Sequence, residues 1–143
     1  MPQVFMGTTK IDPSRTIGEI TSLLVRAKAC SVSTDYQPGT GRVVAVSFTL
    51  NVPGRDTPAH FRLPCRSDRL LKLLRNDREQ TERTAWRQVL RWVEAQLAMI
   101  EVGMVQTHEV FMPYATVNGG ESPTMFEVWE SQMKLLPAPE TSK

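Results

Sequence analysis

The chain predicts an α+β domain: a small antiparallel β-meander sheet with an N-terminal helix and a helical C-terminal half. Two observations carry that prediction. Between residues 30 and 63, segments that alternate apolar and polar side chains are separated by turns rich in Gly and Pro. Beyond residue 67 that alternation stops, and apolar residues recur every three or four positions, the period of a helix face.

Taken in order, residues 4–11 read as a short leading strand, after which Asp12-Pro13 interrupts the chain. Thr16-Ile17-Gly18-Glu19 has the form of a capping box and opens a first helix to about Ala29, with Ile17, Ile20, Leu23, Leu24 and Ala27 on its apolar face. The meander comprises residues 30–36, 42–52 and 59–63, joined by Gln37-Pro38-Gly39-Thr40-Gly41 and Pro53-Gly54-Arg55-Asp56-Thr57-Pro58. In the middle strand Val44, Val46, Phe48, Leu50 and Val52 share one face, and Ser47, Thr49 and Asn51 the other. On the third strand Ala59, Phe61 and Leu63 are opposed by His60 and Arg62, so a polar outer face collects Ser47, Thr49, Asn51, His60 and Arg62. That face is either solvated sheet or a platform for a ligand or subunit.

Ser67 is placed to cap a short helix to Asn76, whose Leu70, Leu71, Leu73 and Leu74 are apolar nearly all round and predict burial on more than one side. Residues 81–104 form the most informative segment. Trp86, Leu90, Val93, Leu97, Ile100 and Met104 trace a packing seam, while Arg83, Arg87 and Arg91, four apart, line another stripe of the same helix. Residues 109–117 read as a return segment, Asn118-Gly119-Gly120 as a tight turn, and residues 123–136 as a terminal helix bearing Met125, Phe126, Trp129 and Met133. Residues 1–136 are expected to form one domain and 137–143 a frayed tail.

Composition narrows the chemistry. A hydrophobic content of 41% with 22% charged residues is that of a globular chain, and no apolar run approaches a membrane span, so a cytoplasmic protein without membrane contact is expected. Cys30 and Cys65 have no ligand spacing and predict a reduced interior pair. His60 and His108 are the only histidines, and neither accompanies a nucleophile at suggestive spacing. Neither a Walker nor a dinucleotide glycine pattern occurs, so no enzyme, metal or cofactor is expected. The net charge of +2 hides a basic middle, Arg62 to Arg91, and an acidic last quarter with Glu109, Glu121, Glu127 and Glu130.

Guanidinium forks match phosphate, so Arg83, Arg87 and Arg91 are the leading ligand candidates, with Trp92 placed to stack on a base and Arg62 and His60 available on the sheet. The opposing reading pairs these arginines with Glu79, Glu82 and Glu94 along the helix and puts the tryptophans in the core. Apolar residues such as Met99, Val102, Met104, Val105, Phe111 and Met112 exceed what the sheet and first helix cover, which predicts a homo-oligomer.

The block Ala85-Trp86-Arg87, Trp92-Val93-Glu94-Ala95-Gln96-Leu97, Glu109-Val110-Phe111-Met112-Pro113-Tyr114 and Asn118-Gly119-Gly120 resembles small proteins encoded by phages and prophages. In outline the layout is also similar to phage sponge proteins that sequester nucleotide signals of host defence. That resemblance implies a non-enzymatic binding protein that captures a phosphorylated nucleotide through the helix arginines. The alternatives are a nucleic-acid-binding accessory protein, tracking phosphates along Arg62 to Arg91, and an inhibitor that works by protein–protein contact through the apolar, acidic C-terminal surface.

Overall fold

A computed structural model describes residues 3–116 and 122–137, and its architecture is α+β. Helix α1 (Pro13–Arg26) begins three residues before the expected capping box. Its N-cap is Asp12, whose carboxylate accepts from the Ser14 N–H at 3.0 Å, and Pro13 fits the first turn because its missing N–H is one the helix cannot satisfy anyway. Thr16 is fully buried inside the helix and caps nothing.

The expected leading strand does not form. Residues 4–7 make a turn closed by Gly7 N–H to the Val4 carbonyl at 2.8 Å, with Met6 in the left-handed region. The carbonyls that a sheet would have satisfied are taken by helix α3 (Arg78–Glu101): Gln80 Nε2 donates to Gly7 and Thr9, and Gln88 Nε2 donates to Phe5.

Strands β1 (Ser31–Tyr36), β2 (Val43–Leu50), β3 (Ala59–Pro64) and β4 (Ala115–Thr116) form one antiparallel sheet in that order. Register places Phe48 between Val32 and Phe61, and Ser47 between Ser33 and Arg62, so apolar and polar residues segregate to opposite faces as the alternation predicts. Val46, Phe48, Leu50, Ala59, Phe61 and Leu63 are buried. They join Ile17, Ile20 and Leu24 of α1 and Trp86, Leu90 and Val93 of α3 in one core.

Helix α2 (Asp68–Leu73) is shorter than expected, and Arg75 and Asn76 turn the chain with positive φ. None of its residues is buried, and Leu73 is 51% exposed, contrary to the expectation from its apolar girth. Helix α3 (Arg78–Glu101) is capped by Asp77. It stops at Gly103, whose φ of 79° lets the Met104 N–H reach the Met99 carbonyl and the Gly103 N–H reach that of Ile100, a Schellman arrangement. Met104 therefore leaves the seam and is 71% exposed.

The return segment folds as helix α4 (Thr107–Phe111), a 3-10 turn (Met112–Tyr114) and β4. Phe111 is fully buried and meets Phe48 edge-on at 5.3 Å, so it belongs to the core of the single chain and is not left for a subunit interface. Helix α5 (Met125–Leu135) closes the described structure. The Asn118-Gly119-Gly120 turn and nearly all of the tail lie outside the described residues.

Candidate functional site

The arginine stripe is not assembled as an anion clamp. Arg83 directs Nε and Nη2 at Gln80 Oε1, at 3.2 and 2.7 Å. Arg87 is only 5% exposed, its Nη1 lying 3.3 Å from Glu19 and 3.4 Å from Thr16 Oγ1, while its buried Nε has no partner. Arg91 closes an ion pair on Glu94 at 2.6 Å. Each guanidinium thus has its own acceptor within the chain: Gln80, Glu19 and Glu94 in turn. Trp92 is held edge-on between Phe111, at 5.9 Å, and Tyr114, at 5.7 Å, as part of the core wall and not as a free stacking surface. Of the carboxylates expected to pair along the helix, Glu94 does so, whereas Glu82 crosses to Arg42 of the meander turn at 3.2 Å.

A cavity of about 560 Å³ lies between α1, the start of β2 and α3, where Arg42, Arg78 and Arg83 meet Asp12, Glu79 and Glu82. Equal numbers of both signs leave it without the positive field that phosphate capture requires. Beneath it Cys65 is inert: burial first, then the Glu82 carboxylate, pushes its thiol up to about 12. Cys30 is exposed, so the two free cysteines do not form the interior pair the sequence predicts.

The outer sheet face is polar, as expected, and is knitted to itself. Asp35 accepts from Arg62 Nε at 3.1 Å and Ser47 Oγ at 2.9 Å, and Ser31 and Thr49 share a hydroxyl hydrogen bond at 2.8 Å. His60 is exposed beside them, and the face forms a shallow hollow of about 220 Å³. Register sets Arg62 directly opposite Ser47 and His60 directly opposite Thr49, so these two candidates lie on the sheet and not with the α3 arginines: the Arg62 guanidinium is spent on Asp35, and the His60 side chain is exposed on open sheet.

Helix α5 lies outside the core. Its start is fixed firmly: Thr124, fully buried, accepts from the Glu127 N–H at 3.3 Å, while Glu127 Oε1 accepts from the Thr124 N–H at 2.9 Å. That backbone N–H is the main reason the Glu127 carboxyl is held below its ordinary range; burial opposes it, and the Thr124 hydroxyl, Arg66 and Arg62 add to it. Arg66 also lies over the Phe126 ring at 5.2 Å. Yet no residue of α5 is buried. Met125, Phe126, Trp129 and Met133 fall within an arc of roughly 100° on the helix wheel. Glu127 and Val128, on the opposite side, are the half-buried residues. The apolar stripe consequently points outward, with Trp129 59% and Met133 45% exposed. The periodicity was legible in the sequence; its outward direction was not, because direction depends on which side the 3-10 turn supports.

No known family, curated protein or solved structure matches the chain. Among the described residues no group of three or more His, Cys, Asp or Glu side chains is placed to hold a metal ion. No described helix is long and apolar enough to cross a membrane.

Proposed function

We propose that this is a non-enzymatic binding protein that acts by protein–protein contact, with the outward stripe of α5 as its contact surface. The observation that carries the reading is a capped helix whose Met125, Trp129 and Met133 stand exposed, with Phe126 beside them packed under Arg66. Aromatic and Met side chains are enriched at interface centres, and an already formed helix presents them in the i, i+4 spacing that a groove reads. Capture of a phosphorylated nucleotide by Arg83, Arg87 and Arg91 is the weaker reading, because it would first have to strip each guanidinium from its acceptor.

The test places a photo-crosslinking residue in the full-length chain at position 129 or 133, with exposed Thr57 as the control position, in cells producing the protein. Protein adducts are expected at 129 and 133 and not at 57. Equal labelling at all three positions, or release of an intact nucleotide from the purified protein on denaturation, would overturn the reading.

A further inference from the structure

The cavity of about 560 Å³ between α1, the start of β2 and α3 contains a group that the chain leaves incomplete. Glu82 lines it and is only 8% exposed. Its Oε1 pairs with Arg42 Nε at 3.2 Å, but its Oε2 is buried and meets no donor among the described residues. A carboxylate oxygen taken out of water without a donor is costly, so a donor from outside the chain is favoured there.

Most other charges around the cavity are already spent. Asp12 accepts from the Ser14 N–H and hydroxyl at 3.0 Å each, Arg42 holds Glu82, and Arg83 is turned to Gln80. Arg78 and Glu79 line the cavity as exposed residues whose side chains have no partner among the described residues. Arg78 stands four positions before Glu82 on α3, so the two share one face with Cβ atoms roughly 5–6 Å apart. Ile17, Val43 and Trp86 supply an apolar wall.

Such a lining selects against ions of a single charge. A lone anion meets Asp12, Glu79 and Glu82; a lone cation meets Arg42, Arg78 and Arg83. A ligand with both charges on one small frame avoids either conflict. Its ammonium donates to Glu82 Oε2, its carboxylate faces Arg78 one turn nearer the positive end of α3, and its apolar body lies against the wall.

We infer that this cavity binds a small zwitterion with an apolar side chain, of the α-amino acid class, with Glu82 as acceptor of its ammonium and Arg78 as donor to its carboxylate. The site uses no residue of α5, so it stands or falls separately from the contact reading.

Isothermal titration of the full-length protein with leucine and phenylalanine tests it, alongside analogues that each lack one charge: isoamylamine and isocaproate for leucine, phenethylamine and hydrocinnamate for phenylalanine. At least one of the two amino acids is expected to bind saturably, and its single-charge analogues roughly tenfold more weakly or worse, the scale of one lost charge-assisted hydrogen bond. Glu82→Gln and Arg78→Gln are each expected to weaken binding by a similar factor, with far-UV circular dichroism as the check on folding. Arg78 is exposed, so its variant decides the matter if disturbing the Arg42 pair unfolds the other. No saturable binding of either amino acid would leave the Glu82 oxygen to a buried water and overturn the inference. A single-charge analogue that binds as tightly as its amino acid, or unchanged binding in either variant that folds, would overturn it as well.

Discussion

At the residue scale, Arg87 carries the largest electrostatic stake. Its guanidinium is buried, and Glu19, whose side chain is 40% exposed, is its counter-charge. The two partners are therefore unequal. Glu19→Ala strands a buried cation and should cost about 2–3 kcal/mol, whereas Arg87→Met leaves a carboxylate that water can solvate and should cost about 1 kcal/mol. Urea unfolding of the two variants checks that order. Cys65 supplies a second prediction. Its thiol is raised from 9.0 to about 12, so the fold keeps it protonated where the unfolded chain ionises it. Stability from this group is intact below pH 9.0 and falls between there and about pH 12, by about 1.4 kcal/mol per pH unit. A Cys65→Ala variant should lack that alkaline component, and at pH 8 iodoacetamide should modify exposed Cys30 while Cys65 reacts only on unfolding.

At the element scale, α3 and α5 occupy opposite ends of the stability range. Trp86, Leu90 and Val93 are at most 1% exposed, so α3 opens only with the whole core; α5 has no fully buried residue and can open alone. Hydrogen exchange should show strong protection across 86–93 and weak protection in α5. Because the Glu127 carboxyl is held below its usual 4.5, its contribution is present above that pH and is lost as acid protonates it. Exchange in α5 should accelerate below pH 4.5 before α3 changes. The elements themselves were largely readable from the chain: β2 and β3 alternate cleanly, and α3 carries a long seam. The leading strand was not, since an extended tendency becomes a strand only where an edge is free to pair, and here Gln80 and Gln88 of α3 take the carbonyls instead.

Across the whole molecule, Phe111 ties the C-terminal half to the sheet. It touches the rings of Phe48, Phe61 and Trp92. Phe111→Ala should cost about 3–5 kcal/mol, the range for emptying a fully packed aromatic site, and should loosen α4 and β4 together. Thermal unfolding measures the first effect and exchange in residues 107–116 the second. The residue had read as surplus apolar surface. Chain order cannot reveal that α4 folds it back under Trp92, because that contact depends on where Gly103 ends α3.

The α+β class, the sheet's apolar and polar faces and the core side of α3 followed from sequence alone, because strand and helix periods sort side chains by face before any tertiary contact forms. The partner of Arg87 and the outward aim of α5 were decided only by the fold. Glu94 beside Arg91 and Gln80 beside Arg83 are local, at three-residue spacing, whereas Arg87 depends on residues distant in the chain, Glu19 and Thr16, and α5 on the 3-10 turn.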